Sequence, residues 1–447
     1  MIDRGGTAVL DLAHIEQYRE NNRIEAKRAQ GGLPHSIWET YSSFANTYGG
    51  ILLLGVAETA DKSFAAVHLP DPEGLVREFW RVLRLPGVVS EQILTPDCVE
   101  IAHSGGEPIV VIRIPRADRH VRPVYIGGDP YTGSYRRSGE GDYRCSAEEV
   151  RSMLRDRTDG GRDSRVLAEL TMDVIDWDTV ARYQARTGQS GLPGRELLRE
   201  LGGAAWDGGT LRPTAAGLLM FGRRPAIQRV FPDRGPSFGD ASAGAWTDNL
   251  YDFYRDSCAR LMTAVPVPDR DPMLEAAVGE AVANGLIHAD YEAQGGVLVR
   301  RSADEIAVAN PGAFRGDAIH PLSGVRSDPR NPVLSRMFRL LDASPSHGGL
   351  AGVGQAWTRA GLPAPVLREQ FGPDRTILTL PLTSDGLSPE ERTQQRIVEW
   401  LTDHVSGTAA RIAVNLGLDL GRTQRCLDAL SDAGAVVTDG VTYALKG

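Results

Sequence analysis

From residue 37 to residue 58 the spacing of apolar positions changes from helical to continuous. "IWETYSSFANTY" reads as a helix, and "GGILLLGVAE" as a buried strand. Around this pair the pattern predicts an opening helix in "VLDLAHIEQYRE", a second strand in "PIVVIRIP" and a closing helix in "SAEEVRSMLRDR". Ser146 stands at the N-cap of that last helix and Glu149 at the box position three residues on. "DRTDGGRDSR" follows as a polar, glycine-containing linker, which closes a first block at residues 1–160.

In a second block, 161–385, helices and strands alternate again. "DPMLEAAVGEAVANGLIHADY" is its clearest helix, with Pro272 in the first turn. "GGVLVRRSADEIAVANPG" predicts a hairpin and "RTILTLPL" a late strand before the linker "TSDGLS". The third block, 386–447, opens with a capping box from Ser388 to Glu391 in "SPEERTQQRIVEWLTDH". Two short helices, "TAARIAVNLG" and "GRTQRCLDALSDAG", precede a hairpin turning at Asp439–Gly440. Helix, helix-turn-helix and two-stranded wing together predict a winged helix. The fold class expected is therefore α/β and multidomain.

Composition adds little to this until charge is considered. The formal net charge is −9, so any contact with nucleic acid must come from local basic patches. Cys98, Cys145, Cys258 and Cys426 are far apart, which argues against a disulfide framework or a CxxC zinc site. The N-terminus carries acids and no apolar h-region, and no stretch has the length of a membrane span. A cytoplasmic protein without a membrane partner is expected.

Basic residues are almost all arginine; the lysines are Lys27, Lys62 and Lys446. One of them stands in "RENNRIEAKRA", beside Glu20 and Glu25. Strand spacing puts Glu25 and Lys27 on one face, and Glu20 can return to meet them from the preceding helix. Paired carboxylates suit Mg²⁺ or Mn²⁺, and a compact ammonium suits the charge that builds on a phosphoryl group. The simpler reading is a strand-surface ion pair worth at most about 1 kcal/mol.

The residues that follow extend the pattern: "SSFANTYGGILLLGVAE" with Asn46, Gly49 and Gly50, then "RPVYI", "GSYRRSG" and "SAEEVRSML". Over about the first 155 residues this resembles the Schlafen AlbA-type domain, an α+β fold with motifs "lEfK", "AfaNt-GG-lliGv" and "yiR-G". The resemblance implies binding of DNA or RNA. In eukaryotic Schlafen members it also implies a metal-dependent ribonuclease site of two glutamates and an aspartate. Glu20 and Glu25 match the first two acids and Lys27 the lysine. The family's aspartate after "GV" is missing, and Glu58 is taken in its place. Arg116, Arg119, Arg122, Arg136 and Arg137, with Arg113, His120, Tyr131 and Tyr135 near them, suit phosphate contact and stacking.

"EAVANGLIHADY" sets Glu280, Asn284 and His288 at i, i+4 and i+8, one stripe of a helix. Alone, that stripe is also an ordinary polar face of an amphipathic helix. With "NPGAF", "RNPVLSRMF" and "PTAAGLLMFGRRP" it resembles a degenerate GHKL-type ATPase module, an α/β sandwich, over roughly 205–385. The resemblance implies ATP with Mg²⁺, with Glu280 and Asn284 as N-box residues. Asn310, before Pro311–Gly312, stands where the family has its adenine-reading aspartate, and Gly352 and Gly354 approximate the second glycine box. Weak or regulatory ATP binding is expected. No GxxxxGK[ST] occurs, which excludes a P-loop helicase motor.

In the winged helix, Arg422, Gln424 and Arg425 open the recognition helix and suit base edges and phosphates. The expectation is a homodimeric, nucleic-acid-binding, nucleotide-responsive regulator. The alternative is a metal-dependent endoribonuclease with Glu20, Glu25 and Glu58 as ion ligands, acting on tRNA or another structured RNA in stress or phage defence.

Overall fold

The computed structural model describes residues 12, 15, 23–60, 62–139, 141–239, 246–263, 272–302, 304–315, 328–341, 349–382, 389–404, 406–416 and 420–446. The opening helix predicted at "VLDLAHIEQYRE", apart from Leu12 and Ile15, and Ser388 of the second capping box lie outside these residues. The chain divides into two compact units, Met1–Thr158 with Leu387–Gly447, and Asp159–Gly386.

In the first unit, β1 (Ile24–Lys27) runs parallel to β2 (Gly50–Leu54), with α1 (Ile37–Asn46) as the crossover a parallel pair requires. β3 (Val56–Glu58) and β4 (Phe64–Ala66) make a short hairpin. α2 (Pro72–Leu83) starts with Pro72 at its first position, and Asp71 caps it by accepting the Gly74 N–H at 2.7 Å. β5 (Val99–Ser104) and β6 (Glu107–Ile114) complete a sheet of order β1-β2-β6-β5.

Because strand side chains alternate, the apolar run of β2 serves two cores. Leu52 and Leu54, with Val110, Ile112 and Ile114, meet Ile37, Tyr41 and Phe44 of α1 and Leu75, Phe79 and Leu83 of α2. Ile51 and Leu53, with Ile109 and Val111, meet Ile24, Val56 and Phe64 on the other face. The block ends with α3 (Pro130–Gly133), the hairpin β7 (Tyr135–Ser138) and β8 (Gly141–Arg144), and α4 (Ala147–Asp156). α4 carries the expected capping box: Ser146 Oγ accepts the Glu149 N–H while Glu149 accepts the Ser146 N–H.

The second unit contains α5 (Trp177–Thr187), α6 (Gly194–Leu201), the hairpin β9 (Ala204–Asp207) and β10 (Thr210–Pro213), α7 (Ala215–Phe221) and α8 (Arg224–Val230). Then come β11 (Ser237–Phe238), α9 (Leu250–Met262), α10 (Pro272–His288), β12 (Leu298–Arg301), β13 (Glu305–Pro311), α11 (Pro332–Leu341), α12 (Leu350–Arg359), β14 (Val366–Gln370) and β15 (Arg375–Pro381). One sheet runs β11-β12-β13-β15-β14, and β12–β13 is the hairpin its alternation predicted. α10 packs against β13, α9 and α12. Two glycines permit that closeness: a Cβ on Gly279 would stand 2.8 Å from the Tyr254 hydroxyl, and one on Gly285 2.6 Å from Val308.

The last block holds α13 (Pro389–Asp403), β16 (Gly407–Thr408), α14 (Ala409–Leu416), α15 (Leu420–Asp432), β17 (Val436–Thr438) and β18 (Thr442–Leu445). β17 and β18 turn at Asp439–Gly440, where Asp439 accepts the Val441 N–H at 2.8 Å and Gly440 takes φ +90°. The three blocks of the sequence become two units here for a specific reason. Ala444 of β18 and Val437 of β17 join Ile24, Ile51 and Leu53, so the last hairpin helps cover the second face of the first sheet. Among the described residues no helix is long and apolar enough to cross a membrane.

Candidate nucleic-acid interface

β1 delivers Glu25 and Lys27 to one side of the sheet, two residues apart. Lys27 Nζ donates to Glu25 Oε1 at 2.9 Å, and Arg137 Nη2 lies 2.7 Å from Glu25 Oε2. The latter contact pairs the charges without an aligned hydrogen bond, so Oε2 is buried with none from the described residues. Arg137 Nη1 also reaches Asp142 Oδ1 at 3.2 Å, across the β7–β8 register that sets the two opposite each other. Ser43 and Thr40 of α1 donate to the two oxygens of Asp142, Thr40 at 2.7 Å. Among the described residues, two carboxylates and two cations thus make a compact cluster.

Asp142, Thr40 and Ser43 were missed by the sequence reading. The available signal was the pairing of Arg137 with Asp142 across a tight turn in "RRSGEGD". Glu58 is exposed at the end of β3, and Glu20 lies outside the described residues. Among the described residues no three His, Cys, Asp or Glu side chains converge as ion ligands.

The "SSFANTYGG" segment explains how the cluster is held. Asn46 Nδ2 donates to Val124 O at 2.7 Å and to Tyr135 O at 3.1 Å, and its Oδ1 accepts the Val124 N–H at 2.8 Å. Thr47 Oγ1 accepts the Arg137 N–H at 3.0 Å. Gly49 takes φ +74°, and a Cβ there would stand 2.8 Å from the Arg116 nitrogen. These residues clamp α1 and the α1–β2 turn to β7, so their order in the sequence records packing.

Burial corrects the picture of an open arginine patch. Arg119, Arg122, Arg136 and Arg137 are 8, 6, 4 and 3% exposed; Arg116 is half-buried. Arg119 donates to Asp156 O at 2.7 Å at the end of α4, and Arg136 pairs with Glu149 at 3.3 Å. Arg113 pairs with Glu100, and His120 with Asp118. Long stems let guanidiniums reach internal acceptors, so arginine in a loop is not by itself a surface charge. Tyr135 is buried as well, whereas Tyr131 and Tyr143 are exposed. On α15, Gln424 donates to Tyr443 and to Asp428, Arg425 is exposed, and the side chain of Arg422 lies outside those described.

In the second unit Glu280, Asn284 and His288 do form one half-buried stripe of α10. A Cβ on Gly349, which precedes α12 with φ +60°, would stand 3.8 Å from Glu280 Oε1. Gly352 and Gly354, expected in a phosphate loop, lie inside α12, because the Val353, Ala356 and Trp357 between and after them bury on a helical spacing. Asn310 turns inward: its Nδ2 donates to Pro311 O at 3.2 Å and His288 O at 3.4 Å. Gly312 at φ +101° lies under the Arg330 guanidinium, which donates to His288 O and Ala313 O.

The family described as Schlafen, AlbA_2 matches residues 20–146, and a domain of unknown function, DUF8451, matches residues 151–234. No curated protein matches. Among solved structures, the DIP2311 protein from Corynebacterium diphtheriae is 18% identical with a TM-score of 0.40, covering 95% of this chain and 79% of that one. The N-terminal domain of a RecG-related protein from Nitrosomonas europaea is 31% identical with a TM-score of 0.23, covering 33% of this chain and 96% of that one. The N-terminal block, with its parallel β1–β2 pair, its Asn46 clamp and its β7–β8 hairpin, contains a Schlafen AlbA-type domain.

Proposed function

We propose that this protein binds nucleic acid through its Schlafen AlbA-type domain and acts as a regulator that does not cleave what it binds. The match of residues 20–146 to that family supports the binding. The observation that carries the second half is the state of Glu25. Its carboxylate is held between Lys27 and Arg137, with Asp142 sharing the same guanidinium. Cations that close on a carboxylate compete directly with a metal ion for it. Glu25 Oε2, ion-paired with Arg137 but without a hydrogen bond from the described residues, favours a second reading, a metal-dependent endoribonuclease completed by Glu20.

Total tRNA with Mn²⁺ and the full chain separates the two. Intact tRNA together with a shifted band for RNA or a DNA duplex is the expected result. Fragments that disappear in Glu25→Gln would establish the nuclease instead. In the second unit, the stripe of Glu280, Asn284 and His288 beside Gly349 is read as a weak ATP site. Asn284 would there meet a phosphate-bound Mg²⁺ through its amide oxygen, and ATP would supply conformational bias by differential affinity for two states. A rise in melting temperature with millimolar ATP, lost in Asn284→Ala, is expected.

A further inference from the structure

β5 stands at the edge of the first sheet and pairs with β6 on one side only. On its outer side alternate residues turn their N–H and C=O groups away from β6, and among the described residues these groups meet no hydrogen-bond partner. Sheet edges are ordinarily blunted by lysine, proline, a bulge or a covering segment. Val99–Ser104 contains neither lysine nor proline, and its register with β6 runs without a bulge from Val99–Ile112 to Ser104–Glu107. The turn that follows is Gly105–Gly106, which has no side chain to fold back over the edge. Glu100, Ile101 and His103 are exposed, Ile101 at 38%.

Strand alternation divides β5 between two faces. Val99 packs with the α2 core, and Ile101 and His103 share its face. Ala102 packs with Ile51 and Leu53 on the other face, which it shares with Glu100 and Ser104. Two antiparallel edges related by a two-fold axis keep their faces, so each residue can meet only itself or a residue of its own face. An axis at Glu100 sets two carboxylates against each other, which is unfavourable. An axis at Ala102 carries Val99 beyond the strand, onto Gly105. An axis at Ile101 sets the exposed isoleucine against itself, Val99 against His103 and Glu100 against the small Ala102. Each Glu100 is meanwhile paired with Arg113 of its own sheet.

We propose that β5 is the contact between two copies of this chain, pairing antiparallel about Ile101 to make one continuous sheet. An unrelated extended segment would gain the backbone hydrogen bonds alone. A second copy adds the Ile101 pair and, in this register, brings no like charges face to face. The contact is small, so the dimer forms with an affinity on the order of micromolar. It uses none of the residues assigned above to nucleic acid or nucleotide.

Sedimentation velocity of the full chain tests this, over a range of about 1 to 100 µM that brackets such an affinity. Wild type is expected to pass from monomer to dimer, and Ile101→Lys, which opposes two ammonium groups at the axis, to weaken the dimer roughly tenfold or more. Val441→Lys, at an exposed valine of the last hairpin, leaves it unchanged. Melting temperatures check that the variants fold. Ile101→Cys supplies a second readout that does not depend on the lysine variant. Directly opposed Cα atoms of an antiparallel pair lie about 4.5–5.5 Å apart, within disulfide reach, so oxidation should give a covalent dimer above the wild-type background. His103→Cys should not, because the two copies of that residue stand about 13 Å apart along the strands. A wild type that stays monomeric throughout would overturn the proposal and leave the edge to another partner. A dimer of wild-type strength in folded Ile101→Lys, or one that Ile101→Cys does not cross-link, would place the contact elsewhere and overturn it equally.

Discussion

Two clusters in one unit hold arginine at different depths. Around Glu25 and Asp142, Lys27 and Arg137 match two negative charges with two positive ones among the described residues, and the Arg137 side chain is 1% exposed. Around Arg23, burial, Arg116 and Arg411 lower the guanidinium's pKa while Asp403 and Tyr48 oppose the shift, and Arg23, Arg116 and Arg411 are half-buried. The first arrangement is the more deeply buried of the two. What an arginine does here follows from the charges it already meets and from the depth at which it meets them.

The sharpest way to break this comparison is Arg137→Ala. Removing one partner of a buried cluster strands its carboxylates, at a cost of about 3–5 kcal/mol. Urea denaturation should show that loss, whereas Arg116→Gln should stay within about 1 kcal/mol of wild type. A loss below about 1 kcal/mol in Arg137→Ala would mean that the Glu25 cluster is open and solvated, and the distinction between the two sites would fail.

A buried carboxylate without a closing guanidinium supplies the next test. In the second unit Asp163 accepts the Leu334 N–H at 2.8 Å, and its Oδ1 is buried with no hydrogen-bond partner among the described residues. Burial pushes its carboxyl up to about 6, although the N–H groups of Leu334 and Val333 and the charge of Arg336 pull the other way. A raised folded-state value means the native state holds the proton longer than the unfolded chain does. Its stabilising contribution is therefore present below about pH 4 and is lost as pH rises through about 6. Asp163→Asn, relative to wild type, should gain on the order of 2 kcal/mol in unfolding free energy between pH 4 and pH 7. A pH-independent difference would show that the site is wet or otherwise paired.

The same contrast explains what the sequence made legible. Unbroken apolar runs such as "ILLL" announce a strand with two buried faces, and Ser146 with Glu149 announces a helix start, because both depend on neighbours in sequence. The pairing of Glu25 with Lys27 was visible for that reason too. Arg137, and Asp142 through it, were not assigned to it, since they join Glu25 only after β7 is clamped to α1 by Asn46 and Thr47, 89 and 90 residues away in sequence. Arg23 and Arg411 escaped notice altogether: their proximity requires the last hairpin to cover the first sheet. Gly352 and Gly354 misled because glycine spacing resembles a phosphate loop, while the apolar residues around it specify α12.

The smallest effect addresses why position 27 holds a lysine in a chain whose basic residues are almost all arginine. Arg137 already occupies one oxygen of Glu25 from the buried side, and Lys27 covers the other from a side chain 16% exposed. A second guanidinium would bring a planar fork into a space one carboxylate oxygen can satisfy with a single donor, whereas an ammonium is compact and can rotate. Lys27→Arg is therefore expected to cost about 1 kcal/mol or less in urea denaturation and to leave oligonucleotide affinity within about twofold. A tenfold fall in affinity with unchanged stability would place the ammonium against the nucleic acid itself. The Glu25 cluster would then be part of the binding surface, and the difference between the two sites would have to be redrawn around Lys27.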